Sequence, residues 1–266
     1  MMITLSYVDL GITAILVLAL AGISLKMRLG VEKQLLISAS RTVIQLLLVG
    51  LVLRELFRTS QLGWIMLMAL VMLAVAGRAV QSRQKRPLKG WWGYGIGTSS
   101  MFISSFAVTF FGLTAVVSVS PWYTPQYAIP LLGMLLGNTM NGVSLGMNQL
   151  TQTAWQQKAI IEQRLLLGQD RGRAISDIRV DSIRTGLIPI INSMATCGIV
   201  SLPGMMTGQI LSGSPPYEAV KYQIMIMFLI AAGTGFGVMA SVFFTSKHLF
   251  DERHRLRLDR LKRDSA

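Results

Sequence analysis

The sequence predicts an all-α fold: a polytopic helical integral membrane protein of about seven transmembrane helices with a cytosolic coupling helix. Three observations lead there. Apolar residues make up 52% of the chain and charged residues 14%, far from the balance of a soluble domain. The apolar residues gather in runs of about 17–25, the length that crosses a hydrocarbon core roughly 30 Å thick. The basic residues, finally, cluster in alternate connections between those runs.

The first run covers about residues 7–25. Ala19-Leu20-Ala21 has the look of a signal-peptidase site, but Asp9 precedes the run and Lys26 and Arg28 follow it. That polarity is the reverse of a signal peptide, so a retained helix is expected. The second run, about 35–57, contains Arg41 with Ser38 and Gln45 three and four residues away on the same helical face. Either Arg41 snorkels to the nearby interface or pairs structurally, or it contacts a ligand at a cytosolic gate. The third and fourth runs cover about 62–80 and 93–119.

The fifth run, about 126–150, carries Asn138, Asn141 and Asn148 on one face. Three carboxamides against lipid would be costly, so they face other helices or water. Interhelical hydrogen bonding and the lining of a translocation path are both open. Runs six and seven cover about 186–202 and 219–246. Cys197, the only cysteine, lies in run six, so no intrachain disulfide forms and a buried small thiol is expected. Between these runs Pro203-Gly204, Gly208, Gly213 and Pro215-Pro216 break the pattern. Residues 203–218 are expected as a re-entrant hairpin or an outside loop, and Pro203, Gly204, Met205 and Met206 are candidate path-lining residues. Irregular backbone at membrane depth is tolerated where protein or a water-filled path surrounds it.

The net charge of +13 raises the question of nucleic acid, and its distribution answers it. With the N-terminus outside, the inner connections and the tail hold nearly all of the 25 Lys and Arg; only Arg54, Arg58, Lys221 and the intramembrane Arg41 lie elsewhere. The charge is a topology signal that leaves the C-terminus cytoplasmic, with the lipid bilayer and not nucleic acid as partner. The basic tail, residues 247–266, also suits anionic lipid or an acidic partner surface.

Residues 151–185 form the longest stretch outside the runs, so the chain is expected as one transmembrane domain over 1–266. Within that stretch Glu162 is followed by Gly168 six residues on and Ile178 ten further. This is the spacing of the loop by which membrane subunits of ABC transporters press against their ATPase. Ile160, Ile161, Leu165, Leu166 and Leu167 supply an apolar part, and Glu162, Arg164, Arg171, Arg173, Asp177, Arg179 and Asp181 a polar one. A glycine breaks the first helix so that a second can turn away, and charges such as Arg171 set register on a partner. Gln163 and Arg164 replace the usual two alanines after the glutamate, and Asp181 the usual final proline. An ordinary solvated basic loop is the alternative.

Leu202-Pro203-Gly204-Met205-Met206-Thr207-Gly208 followed by Ala219-Val220-Lys221-Tyr222-Gln223-Ile224-Met225 resembles the FetB family of bacterial ABC permeases, associated with iron export and related to plant aluminium-tolerance membrane proteins. Residues 41–50 (RTVIQLLLVG), 129–138 (IPLLGMLLGN) and 181–189 (DSIRTGLIP) resemble it too, so the likeness runs from about residue 30 onward. It implies a multi-span permease in a bacterial plasma membrane, with a separate cytosolic ATPase subunit and two copies of each chain. Gln169-Asp170-Arg171-Gly172 departs from the family's Ala-Thr-Pro-basic pattern, which bears on the fit to a particular ATPase.

No Gly-rich phosphate loop occurs in the sequence, so hydrolysis is expected on the partner, with no enzyme activity and no cofactor here. The residues do not choose a substrate. Iron favours carboxylate, imidazole or thiolate clusters, yet His248 and His254 fall in the tail and no acidic or histidine cluster falls within the runs. Met205-Met206 brings soft sulfur, but 16 methionines in so apolar a chain read as packing filler. A chelated metal or a polar organic solute suits the asparagines as well. The rival to a permease is an ion-coupled carrier or channel without an ATPase. That class usually places an ionisable relay deep in a span, and Arg41 is the only charge in such a position.

Overall fold

The structure, a computed structural model, describes residues 6–59 and 61–262. Helix α1 (Tyr7–Lys26) opens on a capping box. The Ser6 hydroxyl accepts from the Asp9 amide at 3.3 Å and the Asp9 carboxylate from the Ser6 amide at 2.8 Å, satisfying two donors that helix geometry leaves unpaired. After it come α2 (Glu32–Thr59), α3 (Leu62–Ser82), α4 (Trp92–Val117) and α5 (Pro125–Gln156). Helix α4 contains two wider π turns, at Phe102–Phe106 and Gly112–Val117. The chain continues through short α6 (Lys158–Leu166) and one-turn α7 (Arg171–Ala174) into α8 (Ser176–Thr196). A short α9 (Gly204–Leu211) and the long α10 (Pro216–His248) complete the helices. Proline opens both α5 and α10, where its missing N–H costs nothing.

This is an all-α polytopic membrane protein. Among the described residues six helices are long and apolar enough to cross a bilayer: α1, α2, α3, α4, α5 and α10. The run expected at 186–202 falls on α8, which begins earlier, among Asp177, Arg179, Asp181 and Arg184, and stops at Thr196. Gly198, at φ +84°, turns the chain there, and Pro203 at the N-cap of α9 fixes the new direction. Of residues 203–218, expected as a re-entrant hairpin or an outside loop, Gly204–Leu211 form the short helix α9 and Pro216 opens α10. Helix α9 packs against α10 and buries Met206.

Helix α5 is the axis of the bundle, touching α3, α4, α8 and α10. Glycines set how close its neighbours come. A Cβ on Gly142 would stand 2.9 Å from the Gly186 carbonyl of α8, and one on Gly186 would stand 2.8 Å from the Gly142 carbonyl. Gly146 abuts Val242 and the Ser182 carbonyl while Gly142 abuts Val238 and the Gly186 carbonyl, so α5 and α10 run parallel and α8 packs antiparallel against both. Close backbone approach through small residues is the usual source of helix association in lipid, where no hydrophobic effect separates helix from tail. Helices α1 and α2 pair with each other at the periphery, largely exposed. Helix α2 meets the bundle through Leu56, packed with Ile65 and Ile129.

One end of the bundle gathers the C-termini of α3, α5 and α10, the N-terminus of α4, and α6 and α7; it is the basic end. As far as Lys262, the tail is held against the bundle there. Its backbone pairs with the α3–α4 connection, Lys89 donating to the Arg260 carbonyl at 2.7 Å and Lys262 to the Pro87 carbonyl at 2.9 Å. Leu258 and Leu261 are buried in the main core with Leu88 and Leu249. The Arg260 guanidinium donates to the His248 carbonyl at 2.6 Å.

Candidate functional site

The α6–α7 segment is a helical hairpin built by two local signals. Gly168, at φ +85°, ends α6: its N–H donates to the Leu165 carbonyl at 3.0 Å, and the next N–H, of Gln169, to the Arg164 carbonyl at 3.1 Å. This pair of bonds is the Schellman motif, whose left-handed residue glycine adopts without penalty. Asp170 then caps α7, its carboxylate accepting from the Arg173 N–H at 2.8 Å. That bond, first among the causes, holds the Asp170 carboxyl below its ordinary 3.8.

The two arms are clasped and then rooted. The Arg164 guanidinium donates to the Asp177 carboxylate at 2.8 Å and to the Ala174 carbonyl at 3.2 Å. The hydrogen bond from Arg164 lowers the Asp177 carboxyl. Ile161 (1% exposed), Ala174, Ile175 and Ile178 (4% exposed) are buried, and they belong to the same core as Leu150 and Val238 of the bundle. The tip faces outward: Leu166 and Leu167 are 87% and 82% exposed.

The four residues expected to couple to a partner thus divide by role. Gly168 forms the turn, and Glu162 lies half-exposed in the middle of α6, 3.6 Å from Lys158. The Arg171 amide donates to His254 Nδ1 at 3.2 Å, tying the hairpin to the tail. Ile178 is a core anchor and presents nothing to solvent. Sequence reasoning missed the outward Leu166-Leu167 pair and the strapped tail. The first had a signal: three consecutive leucines before a helix-ending glycine cannot all face one side of a helix.

The residues expected to line a path do not converge. Asn141 accepts from the Arg83 guanidinium at 2.6 Å and Asn148 from the Lys85 amide at 3.0 Å. Both clamp the end of α3 onto α5. Asn138 donates to the Met134 carbonyl of its own helix at 2.8 Å. Arg41 is exposed and shares a cavity of about 880 Å³ with Arg78 and Tyr94; Gln45 follows one turn along α2, also exposed. Pro203 and Gly204 start α9 at the opposite end of the bundle from the asparagine clamps. Met205 and Met206 open onto two separate cavities there, of about 260 Å³ and 610 Å³. Among the described residues no group of three or more His, Cys, Asp or Glu could hold a metal ion.

Comparison with known proteins bears on the whole chain. The family described as Uncharacterised protein family UPF0014 matches residues 7–250. The chain belongs to this family. It is similar to the Probable iron export permease protein FetB of Escherichia coli, with 35% identity over 260 residues, 96% of each chain. It is 36% identical to a UPF0014 membrane protein of Synechocystis over 231 residues, 86% of this chain and 87% of the relative. Similarity extends to plants: Protein ALUMINUM SENSITIVE 3 of Arabidopsis thaliana is 32% identical over 244 residues, 91% of this chain and 87% of the relative. No solved structure matches. These likenesses span both the bundle and its basic hairpin.

Proposed function

We propose that this UPF0014 chain is the membrane-spanning permease subunit of an ATP-driven transporter, moving a metal ion or small polar solute across a bacterial plasma membrane. The basic end is cytosolic, which puts the N-terminus outside. Hydrolysis belongs to a separate ATPase subunit, and two copies of this chain complete the pathway. The observation that carries this is the α6–α7 hairpin, with an outward Leu166-Leu167 tip, a glycine turn, and a root in the bundle's own core. A tip that is apolar and exposed suits insertion into a cleft. A root shared with α5, α8 and α10 transmits movement of that tip as a rigid-body shift, because packed cores do not deform smoothly. The iron assignment of the Escherichia coli relative supports a metal as cargo.

The test is ATP hydrolysis by the cognate ATPase in proteoliposomes with and without this chain, comparing wild type with Gly168→Asp. A Cβ added at Gly168 would meet nothing within 4 Å, but the residue sits at φ +85°. The substitution therefore strains the turn, by about 1–2 kcal/mol, and spares the core. Permease-dependent hydrolysis that the variant loses while remaining folded is the expected result. Solute flux with no ATPase present would overturn the proposal and point to an ion-coupled carrier.

A further inference from the structure

The 610 Å³ cavity at the end of the bundle opposite the basic hairpin is lined by sulfur-bearing residues from three elements. Met194 and Cys197 come from the end of α8, Met206 from α9 and Met227 from α10. Gln223, one helical turn before Met227, lines the same cavity. It is only 6% exposed, and its Oε1 is buried with no hydrogen-bond partner. An amide oxygen left unpaired out of water keeps its full desolvation penalty, so something must compensate it when the site is in use. The smaller neighbouring cavity repeats the pattern on the other face of α9, with Met134, Met205 and Met225 beside the unpartnered Oε1 of Gln209.

We infer that the larger cavity binds a soft monovalent cation of the Cu(I) class. Thioethers, one thiol and an amide oxygen are neutral, polarisable donors. They select Cu(I) and leave the double charge of a hard or borderline cation uncompensated. Methionine as mere filler explains the volume but not a lining glutamine, Gln223, whose buried Oε1 has no hydrogen-bond partner. As cargo for transport, the cation rests on the permease function proposed above; as a bound ligand it does not.

The full-length chain, purified in detergent with ascorbate under anaerobic conditions, is titrated against the Cu(I) complex of bathocuproine. Wild type is expected to withdraw one Cu(I) per chain. The pair Met206→Leu and Met227→Leu conserves volume and is expected to weaken binding about tenfold or more. Met66→Leu and Met239→Leu, on exposed faces, leave it unchanged. Thermal midpoints measured alongside separate lost ligation from lost fold, and Cys197→Ser provides an independent second variant. No withdrawal of Cu(I) by wild type, or equal binding by the double variant, overturns the inference. ATPase stimulation without Cu(I) binding sinks this site alone, whereas Cu(I) binding without stimulation sinks the coupling function alone.

Discussion

Replacing Gly142 by alanine tests whether the α5–α8–α10 contact sets the shape of the bundle. The added Cβ would stand 2.8 Å from the Thr234 methyl, 2.9 Å from a Val238 methyl and 2.9 Å from the Gly186 carbonyl oxygen. The methyls belong to side chains that can shift a little; the carbonyl is helix backbone and cannot. Helix α8 must then withdraw by about 0.5 Å to restore van der Waals separation, losing dispersion along the seam. Overpacking of this kind costs roughly 1–3 kcal/mol, a fall of several degrees in thermal midpoint at this chain length. Gly137, on the same helix, has nothing within 4 Å of its Cβ position. Gly137→Ala is therefore neutral, or stabilising by about 0.5–1 kcal/mol through the entropy glycine otherwise loses. Both variants are measured by intrinsic fluorescence on heating in one detergent. A Gly142→Ala protein as stable as Gly137→Ala would refute the close approach of α5 and α8.

Three further outcomes follow from the basic end. Leu166→Ser with Leu167→Ser leaves the thermal midpoint of the isolated chain unchanged, because both side chains are exposed, yet abolishes co-purification with the ATPase; retained association would remove the tip from the docking surface. Asn148→Leu breaks its bond to the Lys85 amide and lowers stability by about 0.5–1.5 kcal/mol, while the substrate affinity of the assembled transporter stays unchanged; a shift in substrate affinity at wild-type stability would place Asn148 in the pathway. The Asp177 carboxyl, held below 3.8 first by the Arg164 hydrogen bond, adds a stabilisation present above that pH and lost as pH falls through the lowered value. Hydrogen exchange of the α6–α7 amides is thus flat from about pH 7 to about pH 5 after correction for intrinsic rates, and rises in more acid solution. In Asp177→Asn the Arg164-dependent part of that rise disappears.

Much of the hairpin is readable from residue order because it is local. A glycine six residues after Glu162 ends a helix, and Asp170 two residues later starts the next; both are caps made within a few residues of each other. The pathway candidates were less readable, since an asparagine on a helix face carries no indication of its partner. Asn141 and Asn148 hold Arg83 and the Lys85 amide, 58 and 63 residues away in the chain. The sixth run illustrates the same limit differently. Its apolar residues continue to Leu202, but the helix stops at Thr196 because Gly198 turns and Pro203 redirects the chain.

Hydrophobic run lengths, the side on which Lys and Arg collect, and the punctuation by glycine and proline follow from composition and order alone. They establish the all-α membrane class and the position of the hairpin, because solvation by lipid and local backbone geometry act on short stretches of chain. The contact of Gly142 with Gly186, the burial of Ile178, the strapping of the tail onto residues 87–89 and the sulfur-lined cavity beside Gln223 were settled only by tertiary structure. Each joins residues from helices far apart in sequence. Which faces meet depends on how the whole bundle packs at once, and no single helix carries that information.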